Sequence, residues 1–143
     1  MGSKKVVLDT NVFISALGWK GDSRDIFEGC IRGDLKLFLS TEIFDEIKRV
    51  LNYPKFKFSK SEIDEFLDLI LETGCLVETE VRVDVVKDDP SDDKFFECAL
   101  TAGADYIISR DPHILRIKQF EGIKIISPEV FREENKQLTK NTL

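Results

Sequence analysis

Four carboxylates stand where an alternating strand–helix chain brings its strand ends together. The run Val6-Val7-Leu8-Asp9-Thr10-Asn11 reads as a buried strand that stops on an acid. Glu46 lies in the helical stretch Thr41 to Leu51, Asp92 opens a helix after Asp89-Pro90-Ser91, and Asp111 follows the apolar run Tyr106-Ile107-Ile108-Ser109. In an open parallel α/β sheet the carboxyl ends of the strands line the ligand crevice. Two carboxylates about 4 Å apart repel by roughly 4 kcal/mol at an effective dielectric near 20, so acids gathered there need a cation. Oxygen-only donors favour a hard ion, Mg²⁺ or Mn²⁺, over zinc. The implied chemistry is attack on a phosphodiester by a water that bound metal activates, a reaction that needs no protein nucleophile.

Each acid also has a structural reading, and in a chain with 27 acids some fall at suggestive places by chance. Asp9 can form an Asx turn, with Thr10 or Asn11 capping the next helix. Glu46 can be a surface partner of Arg49 or Lys48. Among Asp89, Asp92 and Asp93 one is expected to cap a helix, and Asp111 before Pro112 is a common turn start. Joint location favours function: three of the four adjoin strand ends and the fourth comes from the helix after the second strand.

The elements that must position these acids are legible along the chain. Residues 5–9 form a continuous apolar strand of the kind buried on both faces. A helix carrying Val12, Phe13, Ile14 and Leu17 follows, broken by Gly18-Trp19-Lys20-Gly21. Ser23 caps a second helical stretch that Gly33 closes. Leu35 to Leu39 is the second strand, and Ser40 or Thr41 caps the helix that Asn52-Tyr53-Pro54 stops. Ser59 or Ser61 opens a long amphipathic helix ended by Gly74. One or two short strands are expected between Cys75 and Val86. A helix through Phe95, Phe96, Ala99 and Leu100 ends at Gly103. A strand from Asp105 to Ser109 comes next, then a loop and short helix to Lys118, a last strand Ile123 to Ile126, and a short helix from Pro128. Regular alternation of this kind gives a three-layer α/β/α sandwich. A single domain is expected over residues 1–131, with a polar tail over 132–143.

Composition narrows the setting. The chain has 143 residues, 42% of them hydrophobic, and a net charge of −6, which argues against nucleic-acid binding by bulk electrostatics alone. No apolar run approaches the roughly 20 residues of a spanning helix, and no signal-peptide pattern precedes the first strand. Cys30, Cys75 and Cys98 are widely spaced, each beside apolar residues, and read as buried free thiols of a reducing cytoplasm. The one histidine, His113, is expected to be exposed, and a lone histidine excludes a His-rich metal site.

The segments VVLDTNVFISAL, STEIFDEIKRVL, DPSDDKFFECALTAGADYIISRD and IKIISPEVF resemble a PIN domain from about Val6 to Phe131. More narrowly, they resemble the prokaryotic PIN group regarded as toxin components of toxin–antitoxin pairs. The resemblance implies a metal-dependent ribonuclease with a central, mainly parallel sheet of about five strands. The family's acids match Asp9, Glu46, Asp92 and Asp111, with Asp93 the alternative to Asp92 by one residue of register. Ser109 matches a small hydroxyl position, and Asn11 a polar position that orients the first acid. The family's chemistry implies 5′-phosphate products, an RNA substrate, an antitoxin partner and a homodimer. Lys20, Arg24, Lys94 and Arg110 are the candidate RNA contacts near the mouth, and Trp19 could stack on a base, cover the core or meet a second copy. The leading expectation is an Mg²⁺- or Mn²⁺-dependent endoribonuclease. The alternative is a PIN module that binds RNA or a protein partner without cutting. A phosphatase of the haloacid-dehalogenase type is disfavoured, because its second aspartate would fall at Asn11.

Overall fold

The computed structural model describes residues 3–136. Strand β1 (Lys4–Leu8) is followed by helices α1 (Thr10–Gly18) and α2 (Asp22–Arg32), then by β2 (Leu35–Ser40) and α3 (Thr41–Leu51). A 3₁₀ turn at Pro54–Phe56 leads to α4 (Lys60–Thr73) and β3 (Cys75–Val77). A second 3₁₀ turn at Pro90–Asp92 runs into α5 (Asp93–Ala102), β4 (Tyr106–Ile108), α6 (Pro112–Leu115), β5 (Gln119–Phe120), β6 (Ile123–Ile126) and α7 (Pro128–Glu134). The strands lie in the order β3-β2-β1-β4-β6-β5, flanked by helices, and every pair is parallel except β5 with β6.

This order puts the site. The chain winds outward from β1 through β2 to β3, then returns to place β4 on the other side of β1. The reversal between β1 and β4 is a topological switch point, where a crevice opens at the carboxyl ends of the strands. Both strands are apolar because helices cover them: Val6, Val7, Leu8, Ile107 and Ile108 are fully buried, and α5 packs against β1, β2 and β4. Phe13, Phe95, Phe96 and Phe131 are buried beside them. Truncating any of these rings to alanine would cost roughly 3–5 kcal/mol.

Local signals set the ends of the elements. Ser40 caps α3 by accepting from the backbone N–H of Ile43 at 3.2 Å. Ser59 and Glu62 form a reciprocal capping box at the start of α4. Gly103, at φ 65°, ends α5 in the left-handed conformation that lets the chain turn directly into β4.

Two expectations need correction, the cap at Ser23 and the burial of Cys75. Helix α2 begins at Asp22, so Ser23 lies inside it, buried, and does not cap it. One strand, β3, forms between Cys75 and Val86, within the one or two expected. Three N–H groups of the following stretch go to side chains of α5: Val83 to Glu97, and Val85 and Val86 to Asp93. The sheet has six strands, because a two-residue hairpin adds β5 at the edge. Glu121 and Gly122, at φ 52° and 83°, supply the two positive φ angles of such a tight turn. Cys75 is exposed, since it lies on the edge strand β3, while Cys30 and Cys98 are buried. His113 is exposed, as expected.

Ordered structure continues past Phe131. Arg132 on α7 donates to Asp22 at 3.0 Å and to Asp25 at 2.5 Å, tying the last helix to α2. Residues 137–143 of the expected tail lie outside the described residues.

Candidate functional site

Asp9 is the first residue after β1 and stands at the N-cap position of α1, yet its carboxylate makes no capping hydrogen bond. Its Oδ2 instead accepts from the Ser109 hydroxyl at 2.6 Å. Ser109, fully buried after β4, also accepts from the backbone N–H of Asp111 at 2.9 Å. One hydroxyl therefore links the acids that follow two neighbouring strands. Only 4% of Asp9 is exposed, and its pKa is raised from 3.8 to about 6. Burial is the main cause, opposed by the Ser109 bond and reinforced by the negative charges of Asp111 and Glu46.

Asp92 and Asp93 are adjacent and both buried, but they face different surroundings. Asp93 Oδ1 accepts from the N–H groups of Val85 and Val86 at 3.0 and 2.8 Å and so anchors the preceding segment. Asp92 has a pKa raised to about 7, first by burial, then by the charges of Asp89, Asp9 and Asp111. Asp89 is engaged locally, accepting from the backbone and hydroxyl of Ser91. Asp111 caps the short helix α6 by accepting from the N–H of His113 at 2.8 Å.

Glu46 reaches the same region from α3, where Thr10 donates its hydroxyl to Oε2. Its other oxygen is paired with Lys94 at 2.7 Å and lies 3.7 Å from Arg49. Thr10 was read from the sequence only as a helix cap; its buried hydroxyl is a site residue that reading missed. The Asp-Thr pair after an apolar strand was the available signal. Beside Glu46 an open cleft of ≈ 540 Å³ is lined by Glu42, Asp45, Arg49, Lys94 and Glu97, among others. Asp9, Asp92 and Asp111 lie outside its walls.

The remaining candidates are placed as follows. Asn11 is exposed at the start of α1, and its backbone N–H partly offsets the charge of Asp9. Arg24 donates to the carbonyls of Ala16 and Leu17, both at 2.8 Å, and so closes the end of α1. Arg110 pairs with Glu129 at 2.6 Å and approaches the Ser23 hydroxyl at 3.4 Å. Lys94 faces Glu46 and also donates to Ser91 O. Lys20 and Trp19 are exposed in the turn between α1 and α2, Trp19 at 56%.

Among the described residues, no three or more His, Cys, Asp or Glu side chains stand in ready metal-holding geometry. The donor chemistry nevertheless suits a hard cation. The acids offer only oxygen, and two of them carry raised pKa values caused by burial and by their neighbours' charge. The Lys94 ammonium occupies the place of a counter-cation at Glu46.

Comparison with known proteins bears on the fold and the family. No curated protein sequence matches the chain. The structure resembles the crystal structure of PAE2754 from Pyrobaculum aerophilum, with a TM-score of 0.61 at 12% identity, covering 94% of this chain and 90% of that one. It also resembles VapBC2 from Rickettsia felis, solved bound to a DNA fragment from their promoter. There the TM-score is 0.60 at 12% identity, over 86% of this chain and 98% of that one. At such identity these likenesses speak to the fold. The sequence model of the PIN domain matches residues 5–113, a span that holds all four acids, and the chain belongs to the PIN-domain family.

Proposed function

We propose that this protein is an endoribonuclease that depends on Mg²⁺ or Mn²⁺, with Asp9, Asp92, Asp111 and Glu46 as the metal-holding acids. One observation carries the reading: aspartates from three separate segments at the carboxyl end of the sheet lie close enough to act on one another's charge. Burial first, and their mutual repulsion after it, raise the pKa of Asp9 to about 6 and of Asp92 to about 7. Bound there, a divalent cation supplies Lewis-acid charge that makes water a better nucleophile and offsets charge on the phosphate. Ser109 orients Asp9 through its hydroxyl and fixes the backbone of Asp111. Thr10 turns Glu46 toward the crevice. Lys94 holds Glu46 in place and offers a cation to a phosphate oxygen once that pair opens.

Lys20, Arg24, Lys94 and Arg110 are the nearby basic residues for RNA. Family membership and the likeness to VapBC2 favour a protein partner of antitoxin type, which an acidic crevice would receive through Arg or Lys. Homodimers in a reducing cytoplasm complete the reading. The Lys94–Glu46 pair favours one alternative specifically, a module that binds without cutting, because it already neutralises one of the four acids.

The test is cleavage of a labelled single-stranded RNA in Mn²⁺, Mg²⁺ or EDTA, beside Asp9→Asn. Cutting that needs metal and disappears in the variant is expected. Equal cutting by both proteins would reveal a contaminant, and no cutting in either metal would leave the binding module.

A further inference from the structure

The chain's longest run without an acid, rich in lysine, lies outside the acid crevice. Residues 47–61 carry Lys48, Arg49, Lys55, Lys57 and Lys60 and no acid, in a chain of net charge −6. Tyr53, Phe56 and Phe58 are interleaved with these cations. The segment leaves α3, passes through the 3₁₀ turn at Pro54–Phe56 and enters α4. It frames a pocket of ≈ 310 Å³ whose walls include Lys48, Tyr53, Lys57, Phe58, Lys60 and Ile63.

The loop is held in shape rather than loosely draped. Phe56 and Phe58 stack with ring centroids 5.9 Å apart. The Phe58 ring packs so closely on Gly18 that a Cβ there would meet it at 3.2 Å. Lys57 keeps φ at 56°, a left-handed conformation uncommon for a residue with a side chain. Most of the charge is exposed: Lys48, Lys55, Lys57 and Lys60 all face solvent, and Tyr53 is 40% exposed. The groups that engage these lysines are weak competitors. Lys60 makes an exposed pair with Asp64 at 3.1 Å, and Lys55 lies over Phe56.

The patch also connects to the crevice. Arg49 lies near the Tyr53 side chain, is 3.7 Å from Glu46 and lines the ≈ 540 Å³ cleft. Glu46, Arg49 and Tyr53 follow one another at spacings of three and four, so they share one side of α3 and its continuation over roughly 10 Å.

We infer that the 47–61 segment is an exosite for single-stranded RNA, an inference that rests on the ribonuclease reading for the direction of the strand. Lys48, Lys55, Lys57 and Lys60 hold successive phosphates, Tyr53 stacks on a base, and the strand continues over Arg49 to the acids at Glu46. A lysine set alone would take any polyanion. The exposed Tyr53 ring and the path to the acids select a nucleic-acid strand over an acidic protein segment.

The test is binding of a fluorescein-labelled oligouridine to the full chain in EDTA, where no cleavage intervenes. The variants are Lys55→Gln/Lys57→Asn/Lys60→Gln and Tyr53→Ala, with circular dichroism to establish that each is folded. Asparagine is used at position 57 because it tolerates the left-handed conformation. The triple variant is expected to bind more than 10-fold more weakly, with a salt slope shallower by about 2, as three lost single-strand contacts imply. Tyr53→Ala is expected to lose about 5-fold or more with its salt slope kept. Unchanged affinity in the triple variant would overturn the exosite. So would wild-type protein that prefers a polyglutamate competitor to the oligouridine. If the lysine variant loses RNA while wild type never cuts in Mn²⁺, the exosite stands and the nuclease reading falls.

Discussion

The two ends of the sheet treat their aspartates differently. At the amino end, Asp105 just before β4 accepts from the N–H of Lys5 at 2.8 Å and stays exposed, while its own N–H and carbonyl join the neighbouring strands. At the carboxyl end, Asp9 is buried, shares a serine with the backbone of Asp111, and has other acids for neighbours. Asp93 resembles Asp105: it is buried, but two backbone donors satisfy it. An acid whose charge is answered by backbone N–H groups belongs to the fold. An acid whose charge is opposed by other acids is, under the proposed function, a place for a bound cation.

Asp92 and Asp93 put that contrast to its sharpest test, since they adjoin in sequence. Asp92→Asn should lower metal-dependent RNA cleavage by more than about 100-fold, beyond the 10–100-fold typical of residues that act through a metal ligand. In EDTA its melting temperature should hold or rise, because a like charge is removed. Asp93→Ala should do the reverse. It strands the N–H groups of Val85 and Val86, at roughly 2–4 kcal/mol, and its melting temperature should drop by several degrees. The folded fraction should keep its response to Mn²⁺. If Asp93→Ala loses that response and Asp92→Asn keeps it, the register assigned to this pair is off by one residue.

Much of this was legible in the chain. Asp9 was found because a charge directly after a fully apolar strand stands out, and β1 forms where that run predicts. Helices α3 and α4 begin at their serine caps, and α5 ends at its glycine, since these are local interactions with local sequence signatures. Features set by distant side chains were not legible. The segment 78–86 has the composition of a strand, yet its donors go to Asp93 and Glu97, fourteen or fewer residues ahead, instead of a ladder. The β5 strand is two residues long and exists only because Glu121 and Gly122 turn it onto β6. Glu46 was placed by resemblance; the Thr10 and Lys94 contacts that hold it belong to three-dimensional packing.

Acidity should separate the two classes without any loss of fold. The pKa of Asp9 rises from 3.8 to about 6 on folding and that of Asp92 to about 7. The native state therefore binds protons more tightly than the unfolded chain, and this contribution to stability is complete below pH ~4. It is lost as pH rises through 6 and then 7. In EDTA the melting temperature should fall between about pH 4 and 7 relative to Asp9→Asn, by an amount worth roughly 2–3 kcal/mol for Asp9. Saturating Mn²⁺, which binds the ionised acids, should reverse that trend. A wild-type profile parallel to that of Asp9→Asn would mean that Asp9 is relieved by something other than protons.

Asp105 sets the small end of the scale. Its bond to Lys5 N joins β4 to the start of β1 in an exposed place, where water can replace the carboxylate at little cost. Asn keeps a carbonyl acceptor at the same position and gives up only the charge. Asp105→Asn should therefore cost about 1 kcal/mol or less, shift the melting temperature by no more than about 2–4 °C, and leave RNA cleavage in Mn²⁺ within about 2-fold of wild type. The slope of its melting temperature with pH in EDTA should match wild type, because the acids that drive that slope stand at the other end of the sheet. A large loss of cleavage in this variant would carry the functional region around to the amino end and break the contrast between the two edges.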